Sequence, residues 1–378
     1  MYLKFRNKAV FQSALLVYFL VLISCADYQE ENEPVLDWQN LELSEGWQKG
    51  QINAEGINSE KLDDAVDQVK SLEGFYGIGI VYKGRLVIEE YSFGDKDTQF
   101  PVWSVTKSFI SALFGQMIDQ GLLKDEFISI DEFFPELTDE TKKTITVSQL
   151  LTMTSGIQDD LSYMYSANPS DYILNFDLSF SPGSWWAYTS AGTHILSIIL
   201  NKKTNETAND YAMEYLFSKI GITNYKWEAD QQGNHNGGYG LYITLQDMLR
   251  FGHLFLQEGQ SAGQEIISSG WVNKSTEKWI NFNNSDGYGY LWWTTQINGE
   301  HVYYAAGYGG QYIMVIPTRA LVIAATSSSR PVPGYGNDLR SIIINEIVTS
   351  FSVPILSLIH ISEPTRPLYI SYAVFCLK

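Results

Sequence analysis

The sequence predicts an α+β fold, an antiparallel sheet flanked by helices with a mainly helical part inserted between its strands. Three observations carry this. A β-rich hairpin pattern stands around Lys83-Gly84, helix-periodic and polar segments fill about 121–279, and four strand-like runs followed by a helix close the body. That order lets the first hairpin join the later strands in one sheet. The expected domain spans 51–353, its α/β part formed by about 51–120 and 280–353.

Each element has a local reason. YGIGIVYKGRLVIEEYSFG, Tyr76 to Gly94, places two β-rich runs around a Lys-Gly turn and reads as a hairpin. PVWSVTKSFISALFGQMIDQGLL, from Pro101, is an apolar, helix-periodic run. Ile145 to Ile157 reads as a short helix closed by Ser155-Gly156, and Asn209 to Lys219 as an amphipathic helix. Thr244 to Gly259 is a further amphipathic helix with Thr244 as its N-cap. From Gly287, the runs YGYLWWTT, HVYYAAGYG, GQYIMVIP and ALVIAATSS, separated by Gly and Pro-Thr turns, read as antiparallel strands. Asn337 to Phe351 reads as a closing helix.

Composition bounds the function. A chain of 378 residues suits one large domain or two intimate ones. The 24 Tyr and 10 Trp are a surplus that lines clefts as well as cores. A net charge of -18 disfavours nucleic acid and anionic membrane surfaces as partners. The two cysteines, Cys25 and Cys376, lie outside the body, which excludes a cysteine nucleophile within it. His194, His235, His253, His301 and His360 show no HxxxH or HExxH spacing, so neither a metal nor another cofactor is expected.

The ends read differently from the body. Residues 1–25 carry a basic start (Lys4, Arg6, Lys8) and an apolar stretch from Ala14 to Ile23, the pattern of a secretory signal. Leu22-Ile23-Ser24-Cys25 resembles a bacterial lipobox, which makes Cys25 the expected lipidation site and the cell envelope the expected location, anchored at the outer membrane on its periplasmic or surface face. Ordinary secretion is the alternative. Residues 26–50 read as an acidic linker. LSLIHISEPTR, Leu356 to Arg366, resembles the translation of a sequencing adaptor, so 354–378 is expected to be an artefactual tail.

The chemistry centres on Ser104-Val105-Thr106-Lys107. A serine and a lysine three apart share one helix face. At a helix N-terminus the serine meets unpaired N–H groups and the positive dipole end, with the lysine placed as its base. The spacing alone is a weak signal, and Ser275-Thr276-Glu277-Lys278 repeats it in a polar stretch.

Three further segments sharpen it: LLTMTSGI, FSPGSWWAYTSAG with Tyr188-Thr189-Ser190, and AAGYGGQYIMVIP. Together with SxxK, in this order from about Ile52 to Phe351, they resemble the serine hydrolases of the class C β-lactamase, penicillin-binding protein and esterase superfamily. Within it they are most similar to the branch of 6-aminohexanoate-dimer hydrolases and β-lactamase-like esterases. The resemblance implies a β-lactamase/transpeptidase-like fold, Ser104 as the acyl-forming nucleophile, and Lys107 and Tyr188 as its catalytic partners. It implies an oxyanion hole from the N–H groups of Ser104 and Tyr308, and substrate contacts at Ser190 and Gly307. Sequence leaves open whether Lys107 or Tyr188 is the base.

One departure narrows the substrate. Ala305-Ala306-Gly307 stands where many relatives carry a lysine or histidine that binds a carboxylate. That points to a small neutral ester or amide, with a weak β-lactamase or D-amino-acid peptidase as the alternative. A non-catalytic ligand-binding surface lipoprotein is the rival from another class. Trp103, Trp185, Trp186, Tyr163, Tyr165, Trp292 and Trp293 are candidates to wall an apolar acyl pocket, Trp103 and Trp186 foremost.

Overall fold

The β-rich runs that mark the hairpin and the closing segments build one mixed sheet in the computed structural model, which describes residues 36–330 and 334–353. Among the described residues its strands are β1 (Gln48–Lys49), β2 (Phe75–Tyr82), β3 (Arg85–Tyr91), β4 (Ile280–Asn281), β5 (Gly287–Tyr288), β6 (Trp293–Ile297), β7 (Glu300–Gly307), β8 (Gln311–Ile316) and β9 (Leu321–Ser327). Their spatial order is β1-β3-β2-β9-β8-β7-β6-β5-β4. Every pairing is antiparallel except the edge pair of β1 with β3, which is parallel and departs from the expected all-antiparallel sheet. The first hairpin does join the late strands: Ile80 of β2 faces Ile323 of β9.

The two-residue period sorts the side chains to two faces. Ile313, Val315, Val322 and Ala324 point to one core, shared with helices α2 (Thr106–Asp119) and α5 (Leu245–Leu256). Met314, Ile316, Leu321 and Ile323 point to the other, covered by α1 (Ser59–Ser71) and the closing helix α7 (Tyr335–Ile342). The closing segment is less regular than expected, since α7 passes into a π-helical turn at Ile343–Ile347 and a 3-10 turn at Val348–Ser350.

The helical part holds α3 (Val147–Leu151), α4 (Ser190–Thr204) and α6 (Ser269–Thr276), among shorter turns. The expected helix at Ile145 to Ile157 stops at Leu151, because Met153 takes a left-handed backbone with φ 62. The expected helix at Asn209 to Lys219 resolves into a helix, Ala208–Tyr215, and a 3-10 turn, Phe217–Lys219. Thr244 caps α5 as expected, in a reciprocal capping box with Asp247.

The signal, Cys25 and the tail from 354 lie outside the described residues. The stretch expected as linker is packed from Asp37 on rather than free. Leu43 is buried, its N–H donates to Ser261 Oγ, and the Trp47 ring meets the His253 ring edge-on. Apolar anchors among the acids outweigh the charge of this segment.

Candidate active site

The Ser104 segment begins on a short strand, Phe100–Pro101, and turns sharply. Trp103 has φ 50, left-handed backbone that costs a bulky residue on the order of 1–2 kcal/mol. A 3-10 turn, Trp103–Val105, then feeds α2, so Ser104 stands just ahead of the α-helix rather than in it. Thr106 fixes the turn by donating its hydroxyl to the Trp103 carbonyl at 2.6 Å. Residues 106–117 of α2 are buried without interruption, as suits a helix enclosed by sheet-side and helical layers. Lys107 is carried into this dry interior.

Lys107 Nζ has three polar neighbours, Ser104 Oγ at 3.0 Å, Ser190 Oγ at 3.0 Å and the Gly238 carbonyl at 2.7 Å. Burial drives its pKa from the ordinary lysine range down to about 7, against the opposing pull of Asp159. In the neutral amine two N–H groups and one lone pair remain. The carbonyl accepts one N–H, and Ser190 Oγ is placed to accept the other. The lone pair is left for the Ser104 hydroxyl.

Tyr188 completes the triangle. Its hydroxyl faces Ser104, and its ring centre is 4.6 Å from Lys107 Nζ. Burial pushes the phenol above its ordinary range, so it stays protonated at neutral pH. Tyr188 sits immediately before Thr189, the N-cap of α4, whose side chain accepts from the Gly192 N–H at 3.0 Å. Asp159 caps the same end, taking the N–H groups of Ser190 at 2.7 Å and Ala191 at 3.1 Å. A carboxylate there complements the helix dipole and fixes the residues around Tyr188.

The far wall is the end of β7. A side chain on Gly307 would stand 2.3 Å from the Val102 carbonyl, so only glycine lets the strand approach the turn before Ser104. The Tyr308 ring meets Trp103, the residue before Ser104, edge-on at 5.6 Å. Gln311, fully buried, holds this turn: its amide donates to the Tyr308 carbonyl at 3.2 Å and the Ser327 carbonyl at 2.9 Å. Its oxygen accepts from Thr326 Oγ1 and Ser327 N–H.

Aromatic side chains flank the triangle. Trp293 stacks with Tyr188, and Trp186 meets Phe282, Tyr288 and Trp293 edge-on. The candidates divide. Trp103, Trp186 and Trp293 are half-buried at the site, whereas Trp292 is a core residue stacked on Phe251 and Tyr163 is buried against His194. Trp185 and Tyr165 are exposed, 72% and 86%.

The second SxxK match is not assembled. Ser275 lies at the C-terminal end of α6 with its hydroxyl donating to Val272, and the helix stops before Lys278. Lys278 lines a separate cavity of about 740 Å³ between α5, α6 and the β6–β7 hairpin, together with Trp279 and His301. None of Ser104, Lys107 or Tyr188 borders it.

Sequence reasoning missed Asp159, Gly238 and Gln311. The contact of Lys107 with Gly238 bridges 131 residues and engages only a backbone carbonyl, which no spacing announces.

The Beta-lactamase family model matches residues 62–344. The 6-aminohexanoate-dimer hydrolase of Paenarthrobacter ureafaciens is 24% identical over 303 residues, covering 71% of this chain and 76% of the relative. A penicillin-binding protein homologue from Caulobacter crescentus superposes with a TM-score of 0.64 at 14% identity, covering 81% of this chain and 99% of that one. EstCE1, a hydrolase with promiscuous acyltransferase activity, gives a TM-score of 0.63 at 15% identity, covering 76% and 98%.

Proposed function

The chain belongs to the Beta-lactamase family, and on that premise we propose that it is a serine hydrolase cleaving a neutral ester or amide through an acyl-enzyme on Ser104. The observation that carries this reading is a lysine with a pKa of about 7 whose nitrogen lies 3.0 Å from the serine oxygen. A base tuned to the working pH accepts a proton without a large energetic penalty.

Ser104 Oγ bonds to the substrate carbonyl carbon as its proton passes to Lys107. The carbonyl oxygen takes the negative charge and accepts the N–H groups of Ser104 and Tyr308, each worth about 3 kcal/mol in the transition state. Collapse breaks the bond to the alcohol or amine, which takes the proton back from Lys107. Water repeats the sequence and frees the acid. Lys107 is the base in this reading, because burial shifts Tyr188 away from ionisation and Lys107 towards neutrality.

Ala305 and Ala306 leave the site-facing strand without a carboxylate-binding cation, and aromatic rings flank the nucleophile. Both features favour uncharged acyl groups over β-lactams and D-peptides. Labelling with a fluorophosphonate, followed by peptide mapping, tests the nucleophile. The label is expected on Ser104, with loss of turnover in a folded Ser104→Ala protein. Retained turnover in that variant would overturn the assignment. Rates on p-nitrophenyl esters, linear amides, nitrocefin and D-amino-acid peptides then rank the substrate classes.

A further inference from the structure

We infer that His194 is a positioning residue for Lys107, acting through the backbone of Gly237 and Gly238; this rests on Lys107 being the base of Ser104. His194 lies one helical turn after Ser190 on α4, so both project from the same face. Ser190 touches Lys107 directly. His194 reaches it indirectly. The Gly237 N–H donates to His194 Nδ1 at 3.3 Å, and the next residue's carbonyl receives Lys107 Nζ at 2.7 Å.

The imidazole tautomer is set by its other nitrogen. Nε2 lies 2.9 Å from Asp230 Oδ2, and both side chains are fully buried. A carboxylate can only accept, so Nε2 carries the proton and Nδ1 is free to accept from Gly237. Burial also holds the His194 pKa below its ordinary value, which keeps the ring neutral at pH 7.

The rest of the loop is held to match. Asn236 Oδ1 accepts from Gly238 N–H at 2.8 Å, Tyr239 N–H at 3.3 Å and the Tyr163 hydroxyl at 3.0 Å. Tyr163 in turn stacks on the imidazole at 4.7 Å. Asp230 takes the Asn234 and Gln232 N–H groups, closing the turn that delivers the glycines. Side chains at either glycine would collide with α4, the nearest atoms being Thr193 O at 2.4 Å and Ser190 Cβ at 2.7 Å. The loop therefore lies against the one helix that also bears Ser190. Without the Gly238 acceptor, the Lys107 amine loses the contact that aims its lone pair at Ser104.

Two substitutions separate positioning from support. In His194→Asn the amide oxygen takes the place of Nδ1 and can accept from Gly237. In His194→Gln the longer amide reaches Asp230 and leaves Gly237 unmet. The readout is the limiting rate of fluorophosphonate labelling at Ser104 by the folded full chain, with the apparent binding constant and melting temperature measured in parallel. Expected are a limiting rate in His194→Asn within about threefold of the unsubstituted protein, a fall of tenfold or more in His194→Gln, and unchanged probe binding. Equal rates in the two variants would overturn the inference, as would lowered melting temperatures with unchanged labelling rates, or a change in binding alone. Absence of labelling in the unsubstituted protein would instead fail the serine-hydrolase reading. If His194→Gln does not fold, His194→Phe takes its place with the same expected loss.

Discussion

Lys107 Nζ sits 4.6 Å from the centre of the Tyr188 ring, close enough for the π face to favour a cation, and yet burial wins and brings the lysine to about 7. A cation–π contact contributes about 0.5–2 kcal/mol. Removing the amine from water costs more than the ring returns. Tyr188 thus turns its face to the lysine and its hydroxyl towards the serine.

The rate should follow the lysine. With a pKa of about 7, Lys107 is neutral above that pH and protonated below it. The value of kcat/KM should fall about tenfold per unit below pH 7 and level off above it. A flat profile from pH 5 to 8 on an ester whose chemical step is rate-limiting would exclude Lys107 as the base.

Stability should rise with pH as well, over a higher window than the rate. The folded lysine has a pKa below its unfolded value of 10.5, so the unfolded chain binds the proton more tightly between pH 10.5 and 7. Stability is therefore lost as pH falls through that window and changes no further below it, by on the order of 4–5 kcal/mol from this group. Lys107→Met should lack that slope. Its melting temperature, relative to the unsubstituted protein, should rise as pH drops from 10 to 7, while labelling of Ser104 falls by several orders of magnitude.

Lys107 and Tyr188 should act as a unit. Tyr188→Phe and Lys107→Met are each expected to lower kcat by at least a hundredfold, and the double variant to be little worse than the poorer single one. Losses that multiply would assign the two side chains independent tasks.

Gln311 should couple stability to catalysis. Gln311→Ala strands the hydroxyl of Thr326, the N–H of Ser327 and the carbonyl of Tyr308. A loss of about 2–4 kcal/mol is expected, with kcat reduced at least tenfold and KM little changed. Chemical denaturation and steady-state kinetics on one ester measure both.

Trp103 invites a paired comparison. Glycine and alanine at 103 both remove the indole, but only glycine is at ease with φ 50. Trp103→Gly should be more stable than Trp103→Ala by about 1 kcal/mol, and both should raise KM for bulky esters. Equal stabilities would show that the turn relaxes once the indole is gone.

The parts of the site that sequence revealed are those that carry their chemistry in side chains at short spacing. Ser104 and Lys107 lie one turn apart, and Tyr188 stands out in the Tyr188-Thr189-Ser190 element through the family resemblance. The sheet was legible from the apolar β-rich runs of β8 and β9 between turn residues, and α5 from Thr244. His194, Gln311, Asp159 and Gly238 were not, because they work through backbone groups that only the folded chain brings near. The packed stretch from Asp37 was hidden by its acids, and the irregular end of α7 has no sequence mark that separates it from ordinary helix.

The pairing of β2 with β9 also governs how the chain can be made. Phe75–Tyr82 is synthesised some 240 residues before Leu321–Ser327, its partner inside the sheet. Until that partner emerges, an apolar strand of eight residues has one unpaired edge. The nascent protein thus carries an adhesive edge for most of its synthesis, and slowing the ribosome before residue 321 would favour aggregation over folding.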